Sequence, residues 1–143
     1  MRPITAAAAA LLAAGCVESP DALRNAGEDC GSCHRAGGKA PEHPFTAAGS
    51  VFATPDGPPA RAGARGVVVA LRDAGGREVR LETNSAGNFA TERALRFPVA
   101  ATIEDPATGR RTVGPGGRCT AGSCDLCHAP VPAGGARGRL LSP

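Results

Sequence analysis

Glu78-Val79-Arg80-Leu81-Glu82-Thr83-Asn84-Ser85-Ala86-Gly87-Asn88-Phe89 is the stretch whose reading decides the fold. Val79, Leu81 and Thr83 alternate with Glu78, Arg80 and Glu82, so an extended chain turns the first set inward and the second toward water. Asn84-Ser85-Ala86-Gly87 then offers residues that tolerate turn dihedrals, and Asn88 opens the next extended run. Working outward, short β-type runs recur at 49–53, 66–72, 78–83, 88–91, 99–104 and 110–113. Further turns fall at Pro55-Asp56-Gly57-Pro58, Ala74-Gly75-Gly76 and Pro106-Ala107-Thr108-Gly109. No long stretch has the apolar spacing of a helix. The pattern predicts a mainly β protein, a small antiparallel sandwich over residues 48–113.

Three pieces of this region, Gly49-Ser50-Val51-Phe52, Ala64-Arg65-Gly66-Val67-Val68-Val69-Ala70-Leu71 and Thr83-Asn84-Ser85-Ala86-Gly87-Asn88-Phe89, resemble the carboxypeptidase regulatory-like, or transthyretin-like, β-sandwich family. The most specific part is the T-N-x-x-G-N-F turn, where Gly87 supplies a positive φ and Phe89 re-enters the core. The resemblance implies an Ig-like scaffold or adhesion module without catalytic residues. Chemistry has to be sought outside it.

The chain of 143 residues is long enough for one modest domain with appendages, and Gly 20 with Pro 13 puts much of it in turns and loops. Phe45, Phe52, Phe89 and Phe97 are the only aromatics besides histidine. Its apolar centre is therefore built from Val, Leu and Ala unless a cofactor fills it. The net charge of +3 is small and the Arg residues are scattered, which argues against nucleic-acid binding. Residues 1–15 read as a lipoprotein-type signal peptide, with Arg2 ahead of an apolar run too short to cross a bilayer as a mature helix. Leu12-Ala13-Ala14-Gly15-Cys16 resembles the bacterial lipobox, with Ala13 where Leu is usual, and implies lipidation of Cys16; ordinary signal cleavage nearby is the alternative. Either reading sends the protein to the cell envelope, on the periplasmic side or the cell surface, where disulfides are permitted. Ser19-Pro20-Asp21 looks like a helix opening, and Pro41-Glu42-His43-Pro44 like a stiff linker.

The chemistry is expected in the flanking segments, 16–47 and 114–143. Cys30-Gly31-Ser32-Cys33-His34 and Cys124-Asp125-Leu126-Cys127-His128 are both C-x-x-C-H, the attachment motif of c-type haem. Two thiols three residues apart can reach the two vinyl groups on one porphyrin edge, and the adjacent imidazole can donate a nitrogen to iron. Over these two pentapeptides the chain resembles multihaem c-type cytochromes. The expectation is two covalent haems c, held by Cys30, Cys33 and His34 and by Cys124, Cys127 and His128, passing electrons to redox partners in the envelope. Disulfides within the Cys pairs, zinc shared between them and a thioredoxin-like role stay open. The run Cys119-x4-Cys124-x2-Cys127 also matches three ligands of a plant-type iron–sulfur site, but no fourth Cys follows.

Axial ligation is tighter. The one Met is Met1, so His34 and His128 leave only His43 as a further imidazole. His43 is expected to be a distal ligand, for an undetermined haem, and the second iron is then open, bound by Lys39 or water, or completed by a His from a neighbouring molecule in a homo-oligomer. An open iron would permit peroxidase-like or small-ligand chemistry. A structural or adhesion lipoprotein is the third class. Cys119 is expected to be a free thiol. No paired carboxylates or Ser/His/Asp arrangement suggests a hydrolase.

Overall fold

The computed structural model describes residues 25–114, 119–130 and 138–143. The expected leader over 1–15, Cys16 and the helix opening at Ser19 lie outside the described residues. All six expected strands form: β1 (Ala47–Phe52), β2 (Val68–Arg72), β3 (Glu78–Glu82), β4 (Asn88–Thr91), β5 (Ala100–Glu104) and β6 (Arg111–Val113). A further strand, β7 (Leu140–Leu141), has no counterpart among the expectations, nor have three single-turn helices, α1 (Cys30–Cys33), α2 (Pro59–Ala62) and α3 (Cys124–Cys127). The strands make a small β-sandwich of two sheets, ordered β3-β2-β5-β6 and β4-β1-β7. Every pairing is antiparallel, as expected, except that β7 adds to β1 in parallel. No helix among the described residues is long and apolar enough to cross a membrane.

Side-chain alternation in β3 appears as read: Val79 and Thr83 are buried, Leu81 is half-buried, and Glu78, Arg80 and Glu82 face solvent. Thr83 is a working inward residue, its hydroxyl donating to the Ala64 carbonyl (2.6 Å) and accepting from the Val67 N–H (3.0 Å). On the wet face Arg80 pairs with Glu104, and Arg111 reaches the same carboxylate at 3.3 Å. Such exposed pairs contribute only a few tenths of a kcal/mol each. In the turn, the Asn84 side chain accepts the N–H groups of Ala86 and Asn88 (2.9 and 3.0 Å). Gly87 sits there at φ +81°, and a β-carbon on it would lie 2.2 Å from the Val51 carbonyl oxygen. Sterics and handedness both require glycine at this point.

The core between the sheets is built from Val51, Val67, Val69, Leu71, Phe89 and Ile103. Each such fully buried side chain contributes on the order of 1.5–3 kcal/mol. β1 is buried along its whole length, which a two-layer sandwich alone would not achieve. Its outward residue Phe52 is covered by Ala26, Ala62, Ala86 and Leu141, with the Arg139 guanidinium 4.6 Å over its ring. One edge of β1 pairs with β4. On the other, the Ala48 N–H donates to the Gly122 carbonyl (2.9 Å), the Ser50 N–H donates to Oδ1 of Asp125 (3.0 Å), and the Phe52 carbonyl accepts the Ser142 N–H (2.8 Å). The chain thus meets β1 through an isolated parallel bridge at Ser123, makes α3, and pairs with β1 again as β7. At the gap a carboxylate takes the place of the missing ladder carbonyl, which satisfies a buried donor.

Candidate functional site

Both C-x-x-C-H pentapeptides fold as one helical turn. The His34 N–H donates to the Cys30 carbonyl (3.0 Å) and the His128 N–H to the Cys124 carbonyl (2.9 Å). Each turn thereby carries two thiols with an imidazole at its end. In both, the chain then curls back so that a main-chain oxygen meets the ring: Nδ1 of His34 lies 3.0 Å from the His43 carbonyl, and Nδ1 of His128 lies 2.9 Å from the Gly138 carbonyl. A carbonyl only accepts, so Nδ1 is a donor, and in the neutral ring Nε2 keeps the lone pair. The His34 ring also stacks on Phe45, centroids 3.9 Å apart and 15° from parallel.

The fold brings these turns into contact although 94 residues separate their caps. Ser123, which precedes α3, donates its hydroxyl to Asp29, which precedes α1. Gly31 lies against the same serine, with its β-carbon position 3.3 Å from Ser123 Cβ. A second polar link runs through β1: the Gly27 N–H donates to Ser50 Oγ (2.8 Å), and that oxygen lies 2.8 Å from Oδ2 of Asp125. A cleft of ≈ 320 Å³ follows the junction, lined by Asp29, Gly31, His34, Phe45, Thr46 and Ser123.

The second turn carries a buried acid that the first lacks. Asp125 is 3% exposed. Burial raises its carboxyl from 3.8 to about 6, against the pull of its hydrogen bonds from Ser50. Burial likewise pushes the Cys124 thiol up to about 12 and, aided by the charge of Asp125, the Cys30 thiol up to about 11. These thiols stay protonated at neutral pH, the reverse of the lowered pKa that makes a thioredoxin-type nucleophile. The five described cysteines carry no disulfide, and among the described residues no group of three or more His, Cys, Asp or Glu is placed to hold a metal ion. Cys119 exchanges main-chain hydrogen bonds with Val99 (2.9 Å each way), and burial followed by the nearby Cys127 raises its thiol.

His43 sits behind the first turn. Its carbonyl grips His34, and its own Nδ1 lies 3.2 Å from Oε1 of Glu92. Lys39 is exposed, and so is Leu126, at 56%, on the outer side of α3. Sequence reasoning overlooked Asp29, Ser50, Ser123 and Asp125. The signal for Ser50 was its place as the lone hydroxyl in Ala47-Ala48-Gly49-Ser50-Val51-Phe52, and for Asp125 an acid between two cysteines. Comparisons of the chain with protein-family models, with curated proteins and with solved structures find no match.

Proposed function

We propose that this chain carries two covalent c-type haems, on Cys30 and Cys33 and on Cys124 and Cys127, and passes electrons in the cell envelope. The observation that carries the reading is the repeated turn in which a main-chain oxygen holds Nδ1 of His34 or His128 and leaves Nε2 free. Iron-ligating histidines need that tautomer, and the partner behind the ring fixes its orientation and strengthens the free nitrogen as a ligand. The thiols of each pair are one helical turn apart, as attachment to one porphyrin edge requires. When bound, haem supplies a reversible one-electron couple whose potential follows its ligands and surroundings.

The residues of the chain then have separable tasks. Cys30, Cys33, Cys124 and Cys127 anchor, while His34 and His128 ligate. Phe45 holds the plane of the His34 ring, and the Asp29–Ser123 bond keeps the two sites side by side, which favours exchange of electrons between them. A lipid on Cys16 would tether the unit to a membrane.

The test is to produce the full chain with cytochrome c maturation machinery and record its intact mass and absorption spectrum. The expected result is two haems per chain resistant to denaturing extraction, with Cys30→Ser and Cys124→Ser each removing one thioether linkage. Colourless protein, or protein holding zinc through its cysteines, would overturn the reading.

A further inference from the structure

Building on the two-haem reading, we infer that His43 is an iron ligand between molecules: it completes the haem at Cys30 and Cys33 of a second copy of the chain, and the second copy returns the contact.

Two ligands on opposite faces of one haem stand about 4 Å apart, twice a metal–imidazole bond of about 2 Å. His43 meets that requirement with neither haem of its own chain. Its carbonyl is bonded to Nδ1 of His34, which puts residue 43 on the side of that ring facing away from Nε2 and the iron. His128 lies toward the other end of β1. His43 and its partner Glu92 lie beyond the rung Ala47↔Thr91, whereas His128 is held by Gly138, just ahead of the rung Val51↔Leu140. β1 climbs roughly 13 Å between those rungs at ~3.3 Å per residue.

His43 is nevertheless arranged as a ligand. Its Nδ1 faces the Glu92 carboxylate, the ring is 55% exposed with Nε2 unengaged by that contact, and Pro41 and Pro44 stiffen the segment. An imidazole backed by a carboxylate is the usual state of a metal-binding histidine. The chain holds three histidines and two of them are taken as proximal ligands, so this one is the remaining imidazole. The free ring and the first haem turn belong to one loop, so the patch can dock against its own twin about a two-fold axis and close with both contacts made. Arg35, Lys39, Glu42 and Glu92 are all exposed, and this mixture of charge permits self-pairing without net repulsion.

The experiment compares haem-loaded wild type and His43→Gln over a dilution series, by sedimentation velocity for mass and electron paramagnetic resonance for iron spin state. In wild type, dilution should convert half of the haem from low-spin to high-spin in step with the dissociation of a dimer. His43→Gln should be monomeric at every concentration and lack that conversion, with two haems still attached by mass. A low-spin fraction that ignores dilution, or a dimer that survives His43→Gln, would overturn the inference. Absence of covalent haem by mass would instead defeat the two-haem reading beneath it.

Discussion

α1 and α3 share one hydrogen-bonded skeleton and have opposite surroundings. The first turn sits on a glycine- and proline-rich loop, with Ser32 exposed and its hydroxyl donating to the Asp29 carbonyl (2.7 Å). The second is wedged into the edge of β1, with Asp125 buried and Cys124 packed toward Gly49, where a β-carbon would lie 2.8 Å from Cys124 Cβ. The difference teaches that five residues suffice to shape the turn, while the sheet decides how firmly the turn is held. Changes at equivalent-looking positions should therefore differ in cost.

The largest contrast is expected between Asp125→Ala and Ser32→Ala. Removing the Asp125 carboxylate orphans the buried Ser50 N–H and leaves a void, so urea unfolding at pH 5 should show a loss of roughly 3 to 4 kcal/mol. Ser32→Ala should change stability by under about 0.5 kcal/mol, as surface substitutions usually do. Equal losses would mean that the two turns are supported alike.

pH should sharpen the same comparison. Asp125 keeps its proton to about 6 in the folded chain against 3.8 ordinarily, so the folded state binds the proton more tightly. Its contribution is complete below about pH 3.8 and is lost as pH rises through about 6. Stability attributable to this group should fall across that window by up to about 3 kcal/mol, from 1.36 kcal/mol per unit of pKa difference. Asp125→Asn should abolish that fall in a series of denaturation midpoints, and an unchanged profile would refute the assignment.

The bridge between the turns should matter less. Ser123→Ala removes one hydrogen bond, with an expected loss of about 1 kcal/mol. Hydrogen exchange should rise at the amides of both turns together if the bridge couples them, and only near residue 123 if it does not. The smallest effect is expected from Leu126→Ser, within about 0.5 kcal/mol in thermal melts, since that side chain is mostly exposed.

The sandwich was legible because its strands obey a period of two and its turns carry Asn, Asp and Gly where the dihedrals need them. The ends of β2 and β5 were read too long, since 66–67 and 99 lead into the ladder without belonging to those strands. β1 was found although it does not alternate in burial. β7 was not legible: two leucines carry no period, and a parallel partner 89 positions away in sequence leaves no local trace. The thiols and imidazoles could be named from the spacing of the two C-x-x-C-H pentapeptides alone. The acceptors that orient His34 and His128 are main-chain oxygens of His43 and Gly138, which any residue could supply. The neighbourhood of the two motifs is a product of topology, and neither pentapeptide encodes it.

The parallel pairing of β7 with β1 has a consequence for biosynthesis. Leu140 and Leu141 are translated after β4 and after Gly122 and Asp125, so the Val51–Phe52 end of one border of an otherwise apolar strand lacks its neighbour until they are made. An unpaired strand border is a template for other chains, and closing it across so long a separation is slow. Crowded nascent copies are thus most exposed to misassembly in the interval before those two leucines emerge.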